Sequence, residues 1–178
     1  ITTGGDNTAI GSSALATEDG NGQNVAVGSA ALATLNAGAD AGNVAVGYQA
    51  LTAATTGVDN VAVGFQAGDS VTTGSDNTLI GDSAGGANNV AVGSAALSTE
   101  DGNGSNVAVG VSALATLNAG ADAGNVAVGH QALTAATTGV DNVAVGFQAG
   151  DAVTTGNDNT FVGDSAGSAA TTSSQNTG

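Results

Sequence analysis

A five-residue pattern that returns ten times along the chain constrains its fold more than any other feature. It begins with Asn, continues with Val or Thr, a central residue that is mostly Ala, then Val or Ile, and ends with Gly. Successive copies stand 17, 19, 17, 17, 12, 17, 19, 17 and 17 residues apart. A repeat this short cannot bury a core alone, so each is expected to form one coil, here called a rung, of a stacked solenoid. The rungs begin at Asn7, Asn24, Asn43, Asn60, Asn77, Asn89, Asn106, Asn125, Asn142 and Asn159.

A longer period is superimposed on the rungs. Residues 7–88 and 89–170 agree at 68 of 82 aligned positions, which indicates duplication of a block of five rungs. We therefore interpret 1–178 as one repeat domain built from two such blocks. The pattern starts and stops within a repeat, and we expect the chain to be a piece of a longer fibre.

Fixed columns within each rung predict an all-β fold. A Gly stands four residues after each Asn, an Ala three residues later, and the next residue is Leu in six rungs and Gly in four. Val favours strands, and Gly permits a corner, so we predict two short strands around a glycine bend. Ten rungs at a parallel-strand spacing of about 4.8 Å would span roughly 50 Å. Representative column residues are Gly28, Gly47, Gly64, Ala31, Ala50 and Ala67.

The asparagine column has two interpretations. Stacked rungs would place the amides above one another, where each could donate to the next as a ladder. Alternatively, each side chain could cap its own turn. The predicted ladder residues are Asn24, Asn43, Asn60, Asn106, Asn125 and Asn142.

The strand pattern also predicts association between copies of the chain. In Val25-Ala26-Val27 the two Val side chains point to one face and Ala to the other, so both faces are apolar. Strands covered on both sides have this character, and the thin coil covers only one side. We expect the second side to be covered in a homo-oligomer; a monomeric solenoid is the alternative.

The stretch 24–28, followed by Ala31, resembles the head repeat of YadA-like trimeric autotransporter adhesins. The stretch 7–11, with Ala14 and Leu15, is similar to repeats of phage tail-fibre-like proteins. Both resemblances cover essentially the whole chain, although most rungs here are longer than those of adhesin heads. The adhesin resemblance implies a left-handed parallel β-roll in which three chains pack around one axis.

The charge of the chain excludes several classes of partner. It has 15 acidic residues and no Lys or Arg, which gives a formal charge of −15. Without cations it is not expected to bind nucleic acid or anionic lipid. No run of 18 apolar residues predicts a membrane span, and the absence of Cys excludes a disulfide framework.

Carboxylates directly before the repeat Asn are the only candidate metal ligands. Asp59 and Asp76 lie on consecutive rungs, as do Asp141 and Asp158, and Asp6 occupies the same column. Stacked carboxylates repel, and calcium would relieve that repulsion. Solvent screening would do so too, so calcium is the less favoured reading, and no other cofactor is expected.

Other polar and aromatic residues favour ordinary surface roles. His130 is the only histidine and has no catalytic partner in the pattern, so we interpret it as a surface residue. Phe65 and Phe147 precede Gln and could stack on sugars, but packing against a loop is preferred. Threonine pairs could form an ice-binding array, although strand-end or turn threonines are favoured. These pairs are Thr2-Thr3, Thr55-Thr56, Thr72-Thr73, Thr137-Thr138 and Thr154-Thr155.

These patterns favour a structural role outside the cell over catalysis. The leading hypothesis is a rigid, protease-resistant shaft or head segment of a phage tail fibre or cell-surface adhesin. Direct adhesion to host glycan, matrix or another surface receptor through the loops 16–23, 33–42, 98–105 and 115–124 is the first alternative. A calcium- or ice-binding solenoid is the second, and an enzyme is not expected.

Overall fold

The computed structural model describes residues 6–18, 22–37, 41–86, 88–99, 104–119 and 123–178, and within them it confirms an all-β parallel solenoid. One sheet contains ten strands in chain order, all parallel and in register. In these ranges there is no helix with the length and hydropathy that crossing a membrane requires. The strands are β1 (Thr8–Ile10), β2 (Val25–Val27), β3 (Val44–Val46), β4 (Val61–Val63), β5 (Thr78–Ile80), β6 (Val90–Val92), β7 (Val107–Val109), β8 (Val126–Val128), β9 (Val143–Val145) and β10 (Thr160–Val162).

Each rung contains one strand, so the prediction of two strands around a glycine bend is wrong. Beyond the glycine, two positions take left-handed backbone angles, such as Gln66 at φ 54° and Leu51 at φ 50°. Left-handed residues turn the chain and cannot continue an extended strand. The bends are still bonded between rungs, because the N–H of Gln66 donates to the Tyr48 carbonyl at 2.8 Å and that of Leu51 to the Ala67 carbonyl at 2.9 Å.

The two faces of the sheet meet different environments. The central strand residue points into the coil, and Ala62 of β4 is fully buried there with the conserved Ala and Leu of the bends. The flanking β-branched residues point outward, and Val63 is 37% exposed. The core of each coil is therefore thin and filled by small side chains, while an apolar column stays on the outer surface.

Two of the four glycines that follow the column Ala, Gly68 and Gly150, reflect an exchange of volume between rungs, whereas after Gly85 the next strand keeps Ala91. Where the bend carries Gly68, the next strand has Leu79 in place of Ala, and a Cβ on Gly68 would lie 2.7 Å from Leu79 Cδ1 and 2.8 Å from Leu51 Cδ2. Gly150 and Phe161 repeat the arrangement, with the Phe161 ring 3% exposed. A large residue from the strand thus fills the space that the missing leucine leaves, as close packing requires.

Candidate functional site

The repeat asparagines form a buried amide ladder along the whole stack. The backbone N–H of each donates to the Oδ1 of the preceding one at 2.7–3.1 Å. The side-chain Nδ2 of Asn60 also donates to Asn43 Oδ1 at 2.9 Å and to the Gly74 carbonyl at 2.9 Å. The Oδ1 acceptors thus join successive rungs, whereas the buried Nδ2 groups of the predicted ladder residues Asn24 and Asn106 have no hydrogen-bond partner among the described residues. Because the column lies inside the coil, it holds the rungs together and is closed to ligands.

The ladder extends one step beyond the residues singled out from sequence. Asn176 donates from its backbone N–H and its Nδ2 to Asn159 Oδ1, at 3.0 and 2.8 Å. Thr177 then makes an isolated parallel bridge with Thr160. The spacing of 17 residues from Asn159 was the available signal, but the motif there lacks the usual Val-Ala-Val and was therefore missed.

The carboxylates considered as calcium ligands lie in the solvent-exposed column before the ladder. Asp59, Asp76, Asp141 and Asp158 all have left-handed backbone angles, with φ of 55–59°. Asp and Asn tolerate this conformation better than other side chains, which gives a backbone reason for their presence. Within the described ranges no three His, Cys, Asp or Glu residues come together as a metal-binding group. Since calcium takes six to eight oxygen ligands, calcium binding at these carboxylates stays the less favoured prediction.

Chelation is therefore expected to leave the melting temperature unchanged at constant ionic strength. Sodium chloride should raise it, because a chain with 15 acids and no cations repels itself and salt screens that repulsion. Thermal melts followed by circular dichroism in EDTA, in calcium and in magnesium would check this. A saturable rise in calcium that magnesium does not reproduce would contradict it.

In three of the threonine pairs one hydroxyl bonds along the stack. Thr55 Oγ1 donates to the Thr72 carbonyl at 3.1 Å, and Thr137 and Thr154 do the same to the next rung at 3.1 and 2.9 Å. The pair that follows, Thr171-Thr172, adds a third consecutive rung that the sequence interpretation missed. One hydroxyl of each of these pairs is thus occupied within the protein, while Thr2-Thr3 lies outside the described residues.

Aromatic side chains form two stacked pairs on the exposed corner just after the rung glycine. The Tyr48 and Phe65 ring centroids are 5.2 Å apart at 15° between planes, and those of His130 and Phe147 are 5.3 Å apart at 8°. Phe65 and Phe147 remain 50% and 49% exposed. The Phe65 and Phe147 rings therefore pack on a ring of the preceding rung, and the prediction that they pack against a loop is wrong. His130 is an exposed member of one pair.

The four long loops are described only in part. Residues 19–21, 38–40, 100–103 and 120–122, which fall within them, lie outside the described ranges. The hypothesis that these loops grip a receptor therefore stays a prediction.

Comparison of the chain with protein-family models, with curated proteins and with solved structures finds no match. The functional argument for this chain accordingly depends on its repeat, its fold and its surfaces. Among these, the ladder is closed and the outer valine column and the aromatic corner are open.

Proposed function

We propose that this chain is a structural segment, shaft or head, of an extracellular fibre: a phage tail fibre or a cell-surface adhesin. The observation that carries the proposal is the uninterrupted coupling of ten rungs through in-register parallel pairing and the buried amide ladder. Such a stack is stiff along its axis, and each rung stabilises its neighbours. The absence of Lys and Arg leaves no trypsin site, which suits exposure to proteases.

Catalysis is not part of the proposed function. The only histidine, His130, stacks on Phe147, and the chain contains no Cys or Lys to act as a nucleophile. The buried polar side chains of the described coils are mainly the ladder asparagines, which are held by one another. The chemistry of these side chains favours a mechanical role.

We further propose that the fibre is a homo-oligomer, with three chains as the resemblance to trimeric adhesins implies. The outward Val and Ile residues support this association. Val63, Val128 and Val145 are each 37% exposed, and Ile80 is 40% exposed, in a column that repeats on every rung. Covering such a continuous apolar column with the same column of other chains would remove it from water, at about 25 cal/mol per Å² buried.

Replacing Val63 by Asp tests this association. In a trimer the change brings three carboxylates together in an apolar interface, so we expect the native mass to fall to that of one chain, or the assembly to melt at a clearly lower temperature. Val111→Asp is the matched control, because Val111 is 46% exposed on the corner where Asp82 and Asp164 already stand. Light scattering coupled to size exclusion would report both masses.

The control variant should keep the parental mass, and its free energy of unfolding should lie within about 0.5 kcal/mol of the parent's, as is usual for surface substitutions. If Val63→Asp behaves like Val111→Asp, the valine column faces water and the proposed interface is wrong.

A further inference from the structure

We propose that the exposed corner carries two equivalent binding sites for a neutral pyranose sugar, one in each block of rungs. Each site consists of a phenylalanine ring, the glutamine after it, and the Asp-Ser pair that occupies the same column on the next rung. The first site is Phe65, Gln66, Asp82 and Ser83, and the second is Phe147, Gln148, Asp164 and Ser165.

The ring of Phe65 has one covered face and one open face. Tyr48 stacks on the face toward the preceding rung, at 5.2 Å between centroids. On the next rung the column continues with Asp82, since the Ser83 N–H donates to the Phe65 carbonyl at 2.9 Å. Aspartate is short and exposed, so no ring continues the stack there, and a ligand can lie flat against Phe65 above Asp82.

Polar side chains occupy the position next to Phe65 in the chain and the same two columns on the next rung. Ser83 Oγ donates to Asp82 Oδ1 at 2.9 Å, which orients the carboxylate and leaves its other oxygen to accept from a ligand hydroxyl. Gln66 Nε2 donates to Gln49 Oε1 at 3.0 Å, so its own Oε1 ends the amide pair and can accept as well. An apolar ring beside two hydroxyl acceptors matches the C–H face and the hydroxyl edge of a pyranose.

The second copy reproduces this geometry although its surroundings differ. His130 replaces Tyr48 as the ring beneath, at 5.3 Å from Phe147. Ser165 Oγ donates to Asp164 Oδ1 at 2.9 Å, and Gln148 Nε2 donates to Gln131 Oε1 at 2.9 Å. The Phe, Gln, Asp and Ser side chains recur in both blocks whereas Tyr48 does not, so the proposal rests on these four and not on Tyr48.

Electrostatics select a neutral sugar. The chain carries a formal charge of −15 without a single Lys or Arg, and each site holds its own carboxylate. An acidic sugar would meet repulsion and find no cation to pair with.

A chain–chain interface explains the corner less well than a sugar does. The outward strand column keeps a β-branched residue on every rung, as a repeating interface requires, whereas the corner column changes from Ser29 to Asp82, Val111 and Asp164. Burying those carboxylates unpaired between copies would be costly.

The two sites are 82 residues, or five rungs, apart, which is about 24 Å along the rod, so a polysaccharide could engage both and gain avidity.

Saturation-transfer NMR on the native fibre tests the proposal with methyl β-D-glucopyranoside as the neutral probe and methyl β-D-glucuronide as its acidic counterpart. We expect transfer to the C–H protons of the glucoside and at least about tenfold weaker binding of the glucuronide. The double variant Phe65→Ser/Phe147→Ser should lose the signal, because it removes both ring faces. Serine already stands in this column at Ser29, and Val111→Ser is the control that removes an apolar corner residue outside the sites.

A second double variant, Phe65→Tyr/Phe147→Tyr, keeps both ring faces and should therefore keep the signal. It tests the proposal even where the serine variant proves unstable. Absence of transfer to the wild type, unchanged transfer in the serine variant or equal binding of the acidic sugar would overturn the proposal. A change of native mass in the serine variant would overturn it too, in favour of an interface. The fibre itself is tested separately by its mass, so a failure here leaves the proposed structural role standing.

Discussion

Replacing Gly64 by alanine is expected to destabilise the rod by at least about 3 kcal/mol. Gly64 has φ of 145°, which L-residues rarely adopt. A Cβ there would overlap the carbonyl group of Gly81 on the next rung, with its carbon only 2.6 Å away. The backbone cannot retreat, because the Gly64 N–H donates to the Val46 carbonyl at 2.9 Å on the other side.

Gly42→Asn provides the matched control for Gly64→Ala. Gly42 also has a positive φ, of 59°, but its column accepts Asp59 and Asn88 at nearly the same angle. A Cβ there would meet only the flexible carboxylate of Asp59, at 2.5 Å. We expect this change to cost less than about 1 kcal/mol.

Urea unfolding at one fixed protein concentration would compare these two glycine variants, since the stability of an oligomer depends on concentration. Equal midpoints for Gly64→Ala and the parent would mean that the rungs do not stack glycine on glycine as described.

Removal of one ladder amide is expected to be about as damaging. Asn60→Ala deletes the two bonds that Nδ2 donates to Asn43 and Gly74, and the two that Oδ1 accepts from the backbone and side chain of Asn77, at 3.1 and 2.6 Å. The abandoned partners are buried, so each lost bond leaves a group without water. At about 1–3 kcal/mol for each unsatisfied group, a loss of at least about 3 kcal/mol follows.

Gln66→Ala is the matched control for Asn60→Ala, because it removes a side-chain amide that lies outside the ladder. Gln66 takes part in a short amide pair on the surface, and Ala30 and Ala95 hold the equivalent left-handed position at φ of 58° and 56°. Alanine is thus compatible with the backbone, and we expect less than about 1 kcal/mol. A ladder variant no less stable than this surface variant would show that the column caps turns and does not couple rungs.

The solenoid could be predicted from sequence because its determinants are repeated in every rung. The spacing of the asparagines indicated the register, and the Val-Ala-Val alternation separated two apolar faces, of which the structure places that of Ala62 and its equivalents inside the coil. Each rung supplies an independent copy of the signal, so single departures such as the rung of 12 residues did not obscure it.

The shape of the bend could not be predicted because stacking overrides local preference there. Leu51 and Gln66 are not residues that favour positive φ, yet inter-rung hydrogen bonds hold both in that conformation. The exchange between Gly68 and Leu79 was also missed, since it links different columns on successive rungs. The ring pairs were predictable in principle, because Tyr48 and Phe65 occupy one column on adjacent rungs.

The mass and shape of the native particle test the central claim, a stiff rod assembled from several identical chains, most directly. One chain weighs 16.3 kDa, so three copies predict about 49 kDa. Electron microscopy should then show straight particles whose ten rungs extend roughly 50 Å. A particle of 16.3 kDa, with its valine columns facing water, would contradict the account.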